Sequence, residues 1–127
     1  MEKLRIIIAG SRIFNNYSLL KESVTSLISG LNKEYHIEII SGGAKVADKL
    51  GELFAHEMKY EVNIFKADWD KLGRRAGYVR NKKMAEYASE KGYNGMLIAF
   101  WDGKSKGTKH MIDLGIKYSL NVNIVHF

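Results

Sequence analysis

The chain has 127 residues, a formal net charge of +6, 46% hydrophobic and 27% charged residues, no cysteine and no proline. That length supports one domain with a real core, and the missing cysteines exclude disulfides, thiolate metal sites and cysteine nucleophiles while fitting a reducing cytoplasm. No apolar run approaches the roughly 18–20 residues that span a bilayer, and Met1-Glu2-Lys3 does not open a signal peptide, so no membrane association is expected.

The first predicted element is the short β-branched run Leu4–Ala9, stopped by Gly10. A near-continuous apolar run of this kind suits a central parallel strand covered on both faces. After a loop at Phe14-Asn15-Asn16-Tyr17, Leu19, Leu20, Val24, Leu27 and Ile28 recur at helical spacing until Gly30. Ile37–Ile40 is the second strand and ends abruptly in Ser41-Gly42-Gly43-Ala44. The helix behind that turn carries Ala47, Leu50, Leu53, Phe54 and Met58 as its expected buried stripe. Val62–Phe65, hemmed in by charges, reads as a third strand at a sheet edge.

Lys66–Arg75 reads as a polar loop around Trp69. A helix from about Ala76 to Lys91 follows, with Val79, Met84, Tyr87 and Ala88 facing inward. Gly95–Phe100 is the fourth strand. After Asp102–Thr108 a helix runs to about Tyr118 on Met111, Ile112, Leu114 and Ile116, and Val122–Val125 closes the sheet. Strands alternating with helices imply βαβ units and an α/β fold with a mainly parallel five-stranded sheet between helical layers. A Rossmann-like order 3-2-1-4-5 follows, over residues 1–127 as one unit. It sets the first and fourth strands together at the switch point, where ligands bind beyond the carboxyl ends of the strands.

Three loops at that end carry the candidate chemistry. Gly10-Ser11-Arg12 offers backbone N–H groups, a hydroxyl and a guanidinium fork to a phosphate. Ser41-Gly42-Gly43-Ala44 opens a helix, so N–H groups and the helix dipole point at an anion. It lacks the G-x-G-x-x-G spacing of a dinucleotide site. Asp48 and Glu52 follow it four residues apart on one helix face, where they can grip a ribose hydroxyl, polarise a glycosidic bond, or simply favour the helix start. The third loop, Asp102–Thr108, fails as a P-loop because Ile98 stands where the first glycine is required. Gly103, Ser105, Lys106, Gly107 and Thr108 still make a phosphate cradle, and Asp102 can accept from ribose or order the loop.

The segment Lys71, Arg74, Arg75, Arg80, Lys82 and Lys83 has no acidic residue between Asp70 and Glu86. Arg75, Gly77, Arg80 and Asn81 are its candidates for closing over a ligand, and the whole strip also suits a single-stranded nucleic acid. Phe14, Trp69 and Trp101 sit beside the loops as candidate stacking surfaces, although aromatics near turns are commonly packing anchors. His36, His56, His110 and His126 lack metal-ligand spacing, so no metal site is expected. No G-x-S-x-G elbow is present, and no cofactor is called for.

These motifs together resemble the SLOG superfamily, the Rossmann-like group with the DprA/Smf proteins and the LOG-type phosphoribohydrolases. They are most similar to its YspA-like, cpYpsA-related branch. Ala9–Phe14, then Ser41–Ala44 with Asp48 and Gly51-Glu52, resemble that branch's first two motifs. Ala67-Asp68-Trp69 with Gly73–Gly77 and Arg80-Asn81, then Asp102–Thr108, resemble its third and fourth. The resemblance implies a site for a nucleotide or nucleotide-derived ligand, with a paired-subunit homo-oligomer as an analogy. Two positions depart from the pattern. Val46 stands where the branch usually has a glycine, and Met111 stands where LOG-type enzymes carry a catalytic glutamate after Gly-Thr.

Three functions are expected from this reading. The first is a cytoplasmic nucleotide-binding module that senses or sequesters its ligand. The second is an N-glycosidic hydrolase using Asp48, Glu52 or Asp102. The third is a single-stranded nucleic-acid binder.

Overall fold

The computed structural model describes residues 1–127. Five strands, β1 (Lys3–Gly10), β2 (His36–Ser41), β3 (Glu61–Ile64), β4 (Asn94–Trp101) and β5 (Asn121–His126), form one sheet of order β3-β2-β1-β4-β5. Every pairing is parallel. The helices are α1 (Tyr17–Ser29), α2 (Val46–Met58), the single turn α3 (Trp69–Leu72), α4 (Ala76–Ala88) and α5 (Lys106–Lys117), with a 3-10 turn at Gly73–Arg75. This is the Rossmann-like α/β architecture and strand order expected from the alternating apolar runs.

Alternation along β1 divides the core. Leu4, Ile6 and Ile8 join Ile37, Ile39, Met96, Ile98 and Phe100 on the face under α1 and α2. Ile7 joins Ile40, Leu97, Ala99, Met84, Ala85, Met111 and Ile112 on the face under α4 and α5. Each fully buried Ile, Leu or Phe contributes about 1.5–3 kcal/mol of transfer free energy, so two such layers suffice to hold both helical faces on the sheet. No helix is long and apolar enough to cross a membrane.

Several local expectations change. Lys66–Arg75 contains a helical turn: Asp68 caps it by accepting from the Lys71 N–H at 3.1 Å, and the 3-10 turn then leads into α4. In α2 the buried positions are Ala47, Asp48, Gly51, Phe54 and Ala55, while Leu53 and Met58 are exposed. In α4 Arg80 and Asn81 take inner places beside Ala76, Met84, Ala85 and Ala88, and Val79 and Tyr87 are half-buried. Ile116 of α5 faces solvent. β3, with Val62 and Ile64 exposed, lies at one edge of the sheet as expected.

At the amino end of the sheet a charged cluster replaces apolar packing. Arg5 and Glu38 are register partners on β1 and β2, and both are buried. The Arg5 guanidinium lies 3.6 Å from the ring centroids of both Tyr87 and Tyr93. Its Nη1 donates to the Tyr87 carbonyl at 2.7 Å and to Glu90 at 2.5 Å. Its Nε is 3.4 Å from Glu38 Oε1 without hydrogen-bond geometry, so these two atoms compensate each other by charge alone. Tyr87, Lys3 and Asn63 complete the shell around Glu38.

Candidate functional site

The three loops meet beyond the carboxyl ends of β1, β2 and β4 and wall a cleft of about 770 Å³, within the usual size range of small-molecule sites. Its lining includes Ala9, Gly10, Arg12, Gly42, Ala44, Asp48, Gly77, Arg80, Asn81, Asp102, Ser105, Lys106, Gly107 and Thr108. Eight other predicted residues do not line it, Glu52 and Trp101 among them. Ser11, Ser41 and Gly43 lie behind the loops, Arg75 and Gly103 are exposed outside it, and Phe14 is buried.

Phe14 corrects an expectation. Its ring is fully buried, stacked 4.5 Å from Phe100 and edge-on to Phe127. It anchors the first loop from below and has no face left for a ligand.

Ser11 and Asp102 join the first and third loops. The Ser11 hydroxyl donates to Asp102 Oδ1 at 3.1 Å, and the Ser11 N–H donates to the Phe100 carbonyl at 2.9 Å. Asp102 Oδ1 also accepts the Lys104 and Ser105 N–H groups at 2.9 and 2.8 Å. The Ser105 and Lys104 N–H bonds hold the Asp102 carboxyl below the usual carboxylate range, against a small opposing effect of burial. It therefore stays ionised at neutral pH and serves as an acceptor. Ser105 caps α5 by accepting from the Thr108 N–H, which sets that helix's first turn against the cleft.

The second loop is closed by its own helix. Asp48 Oδ2 accepts the Ala44 and Lys45 N–H groups at 3.1 and 2.9 Å, tightening the start of α2. Ser41 Oγ accepts the Gly43 N–H and donates to Glu52 Oε2 at 2.6 Å. Glu52 thus lies behind the loop and not in the cleft wall. The three candidate catalytic carboxylates, Asp48, Glu52 and Asp102, are all engaged in ordering loops.

Arg80 is the most unusual residue of the cleft. It is 8% exposed, and its Nη1 donates to the Gly42 carbonyl at 2.5 Å while its Nε donates to the Asn81 side chain at 3.0 Å. Both partners are neutral, and none of the protein's ion pairs includes Arg80. Burial pulls its pKa down, opposed by the charge of Asp48. Gly42 permits this contact: a Cβ there would lie 2.6 Å from Arg80 Nη1.

Lys45, which had no role in the sequence reading, is half-buried beside Arg80. Burial lowers the pKa of its amine, Asp48 opposes this, and the charges of Arg80 and Arg12 lower it further. Its Nζ hangs over the start of α5, 3.0 Å from where a Cβ on Gly107 would stand. Its place directly before α2, after Gly-Gly-Ala, was the available signal. Arg74 lines the cleft in place of Arg75 because the 3-10 turn changes the phase of the chain before α4.

The remaining wall is apolar. Ile13, Trp69 and Tyr78 rim the opening with large exposed surfaces, and Met84 and Met111 line it further. Tyr78 packs edge-on to His110 at 4.5 Å, while His110 Nδ1 lies 3.2 Å from Asn81 Nδ2. Burial lowers the His110 pKa, with Asp113 opposing, so the ring is neutral near pH 7. No group of three or more His, Asp or Glu side chains is arranged to hold a metal ion.

The Gly107→Ala substitution separates fold from site. The new methyl group meets only the flexible end of Lys45, and alanine suits a helix better than glycine. Thermal stability is expected to hold or rise slightly, while ligand affinity falls about tenfold as the ammonium is displaced. Calorimetry beside a melting curve reads both. An unchanged affinity would remove Lys45 from the binding account.

The family model for the YspA, cpYpsA-related SLOG family matches residues 4–72, 69 of the 127 residues. The matched segment includes the first two loops and Trp69; Arg80 and the third loop lie beyond it. The chain is also similar to the Gene 61 protein of Mycobacterium phage D29, with 27% identity over 111 residues covering 84% of this chain and 83% of that protein. No solved structure matches. The fold, the order of its loops and this match agree: the chain belongs to the YspA, cpYpsA-related SLOG family.

Proposed function

We propose that the cleft binds a nucleotide or nucleotide-derived small molecule inside the cell, as a sensing or sequestering module. The observation that carries this reading is Arg80, a buried guanidinium with only neutral partners, set beside the unpaired amine of Lys45. Asp48 is the one carboxylate whose charge offsets these two cations. A buried charge is costly unless it is compensated, and an anionic ligand in the cleft supplies the further negative charge. Family membership supports a nucleotide-related ligand. The apolar rim of Ile13, Trp69 and Tyr78 supplies surface for a base, and the start of α5 adds backbone donors for phosphate.

Binding is better supported than turnover. Asp48 and Asp102 each spend one carboxylate oxygen on backbone N–H groups that order the loops, and Glu52 spends one on Ser41 behind the cleft wall. A glycosidase needs carboxyl groups free to donate a proton or attack an anomeric carbon. Calorimetry against a panel of nucleosides and nucleotides, with chromatography of the mixtures, tests the proposal. The expected result is saturable binding of phosphorylated members without released base. Free base accumulating with time would replace the sensor with a hydrolase, and equal binding of nucleoside and nucleotide would remove phosphate from the reading.

A further inference from the structure

Six cations, Arg12, Lys45, Arg74, Arg80, Lys104 and Lys106, line the cleft against two carboxylates, Asp48 and Asp102, an excess of four positive charges. None of the six takes part in an ion pair. The protein's nine ion pairs lie elsewhere, on Lys3, Arg5, Lys21, Lys33, His36, Lys49 and Lys109. Outside the cleft six of the fourteen Lys and Arg side chains pair with an acid, whereas of the six that line it none does. The lowered pKa of Lys45 reflects crowding by like charges in part, through Arg80 and Arg12.

The charges also differ in depth. Arg80 is buried and Lys45 half-buried at the inner end, while Arg12, Arg74, Lys104 and Lys106 are exposed along the walls. One phosphomonoester carries about −1.5 to −2 at pH 7, and each further phosphoryl group in a chain adds about one more negative charge. A single phosphate at Arg80 and Lys45 would leave about two of the four surplus positive charges uncompensated. The volume of about 770 Å³ has room for more than that group.

We infer that the ligand carries two or more linked phosphoryl groups, one held at Arg80 and Lys45 and the next by the outer cations. This deepens the nucleotide reading and rests on the cleft being its binding site. The charge excess and the depth order select a polyphosphate chain over a monophosphate, and the volume accommodates it.

Inorganic phosphate, pyrophosphate and tripolyphosphate titrated calorimetrically at fixed ionic strength test this without assuming a base. Pyrophosphate is expected to bind about tenfold or more tighter than phosphate, through the added charge-assisted hydrogen bonds. The double variant Arg74→Ala, Lys104→Ala is expected to narrow that ratio while phosphate affinity changes little. Nucleoside 5′-mono- and diphosphates run in parallel distinguish the two claims. Equal affinity for one and two phosphoryl groups overturns the inference and leaves the nucleotide site standing. Tighter pyrophosphate binding with no nucleotide bound upholds the polyphosphate preference and overturns the nucleotide reading. A ratio unchanged in the double variant overturns the outer cations as the second subsite.

Discussion

Arg5→Ala is expected to destabilise the protein by about 3 kcal/mol, the lower end of the range for breaking a buried pair, because Lys3 and Tyr87 still hold Glu38. The substitution removes a guanidinium held between the rings of Tyr87 and Tyr93 and leaves the buried Glu38 with Lys3, at 3.2 Å, as its remaining counterion. Urea denaturation of both proteins measures the loss, and a change under about 1 kcal/mol would show the cluster to be dispensable. Replacing both charges, as Arg5→Met with Glu38→Leu, is expected to recover most of the stability, because apolar side chains of similar volume leave no buried charge.

The same cluster predicts a pH response. Burial raises the Glu38 pKa, but hydrogen bonds from Tyr87 and Lys3 outweigh it and bring it below the usual value. A lowered folded pKa means the stabilisation is fully present above the unfolded value, near 4.5, and is lost as pH falls through the folded one. Without Arg5 the burial cost weighs more on Glu38. The acid loss should then begin at higher pH than in the parent protein, which a series of urea midpoints between neutral and acid pH would show.

Arg80→Ala is expected to weaken phosphorylated-ligand binding by about 100-fold or more, or about 2.7 kcal/mol. The side chain supplies the deepest positive charge of the cleft and holds the Gly42 carbonyl, so its removal takes away an anion partner and loosens the second loop. Arg80→Lys keeps the charge and loses the planar fork, and should fall between the two. Arg75→Ala, three residues into the same basic run as Arg74 but outside the cleft wall, is expected to bind like the parent. Calorimetric affinities for the four proteins decide the matter: a loss in Arg75→Ala equal to that in Arg80→Ala would mean the run acts as a diffuse surface.

Fold and strand order were legible because apolar runs ending in small residues and alternating with helical spacing leave few parallel arrangements. The loops at the switch point followed from that order. Side-chain direction within them did not. Phe14 beside a loop looks the same in sequence whether its ring turns outward or, as here, stacks on Phe100 in the core. Arg80 and Asn81 occupy inner places of α4 that an apolar pattern cannot mark, because their burial depends on Gly42 and His110 from distant parts of the chain. Asp48, Glu52 and Asp102 have the composition of catalytic groups, and only their hydrogen-bond partners identify them as ordering the loops.

The bond between Ser11 and Asp102 has a kinetic consequence. It ties two loops into one unit, while Asp48 closes the third loop on its own helix. These bonds order the loop backbones within the protein itself, so less backbone entropy is left to be lost on binding. Encounter is then governed by the field of the surplus cations, which draws anions in quickly at low salt and more slowly as salt rises. Under the proposed binding role, such a module would respond to its ligand's concentration at a rate set by diffusion.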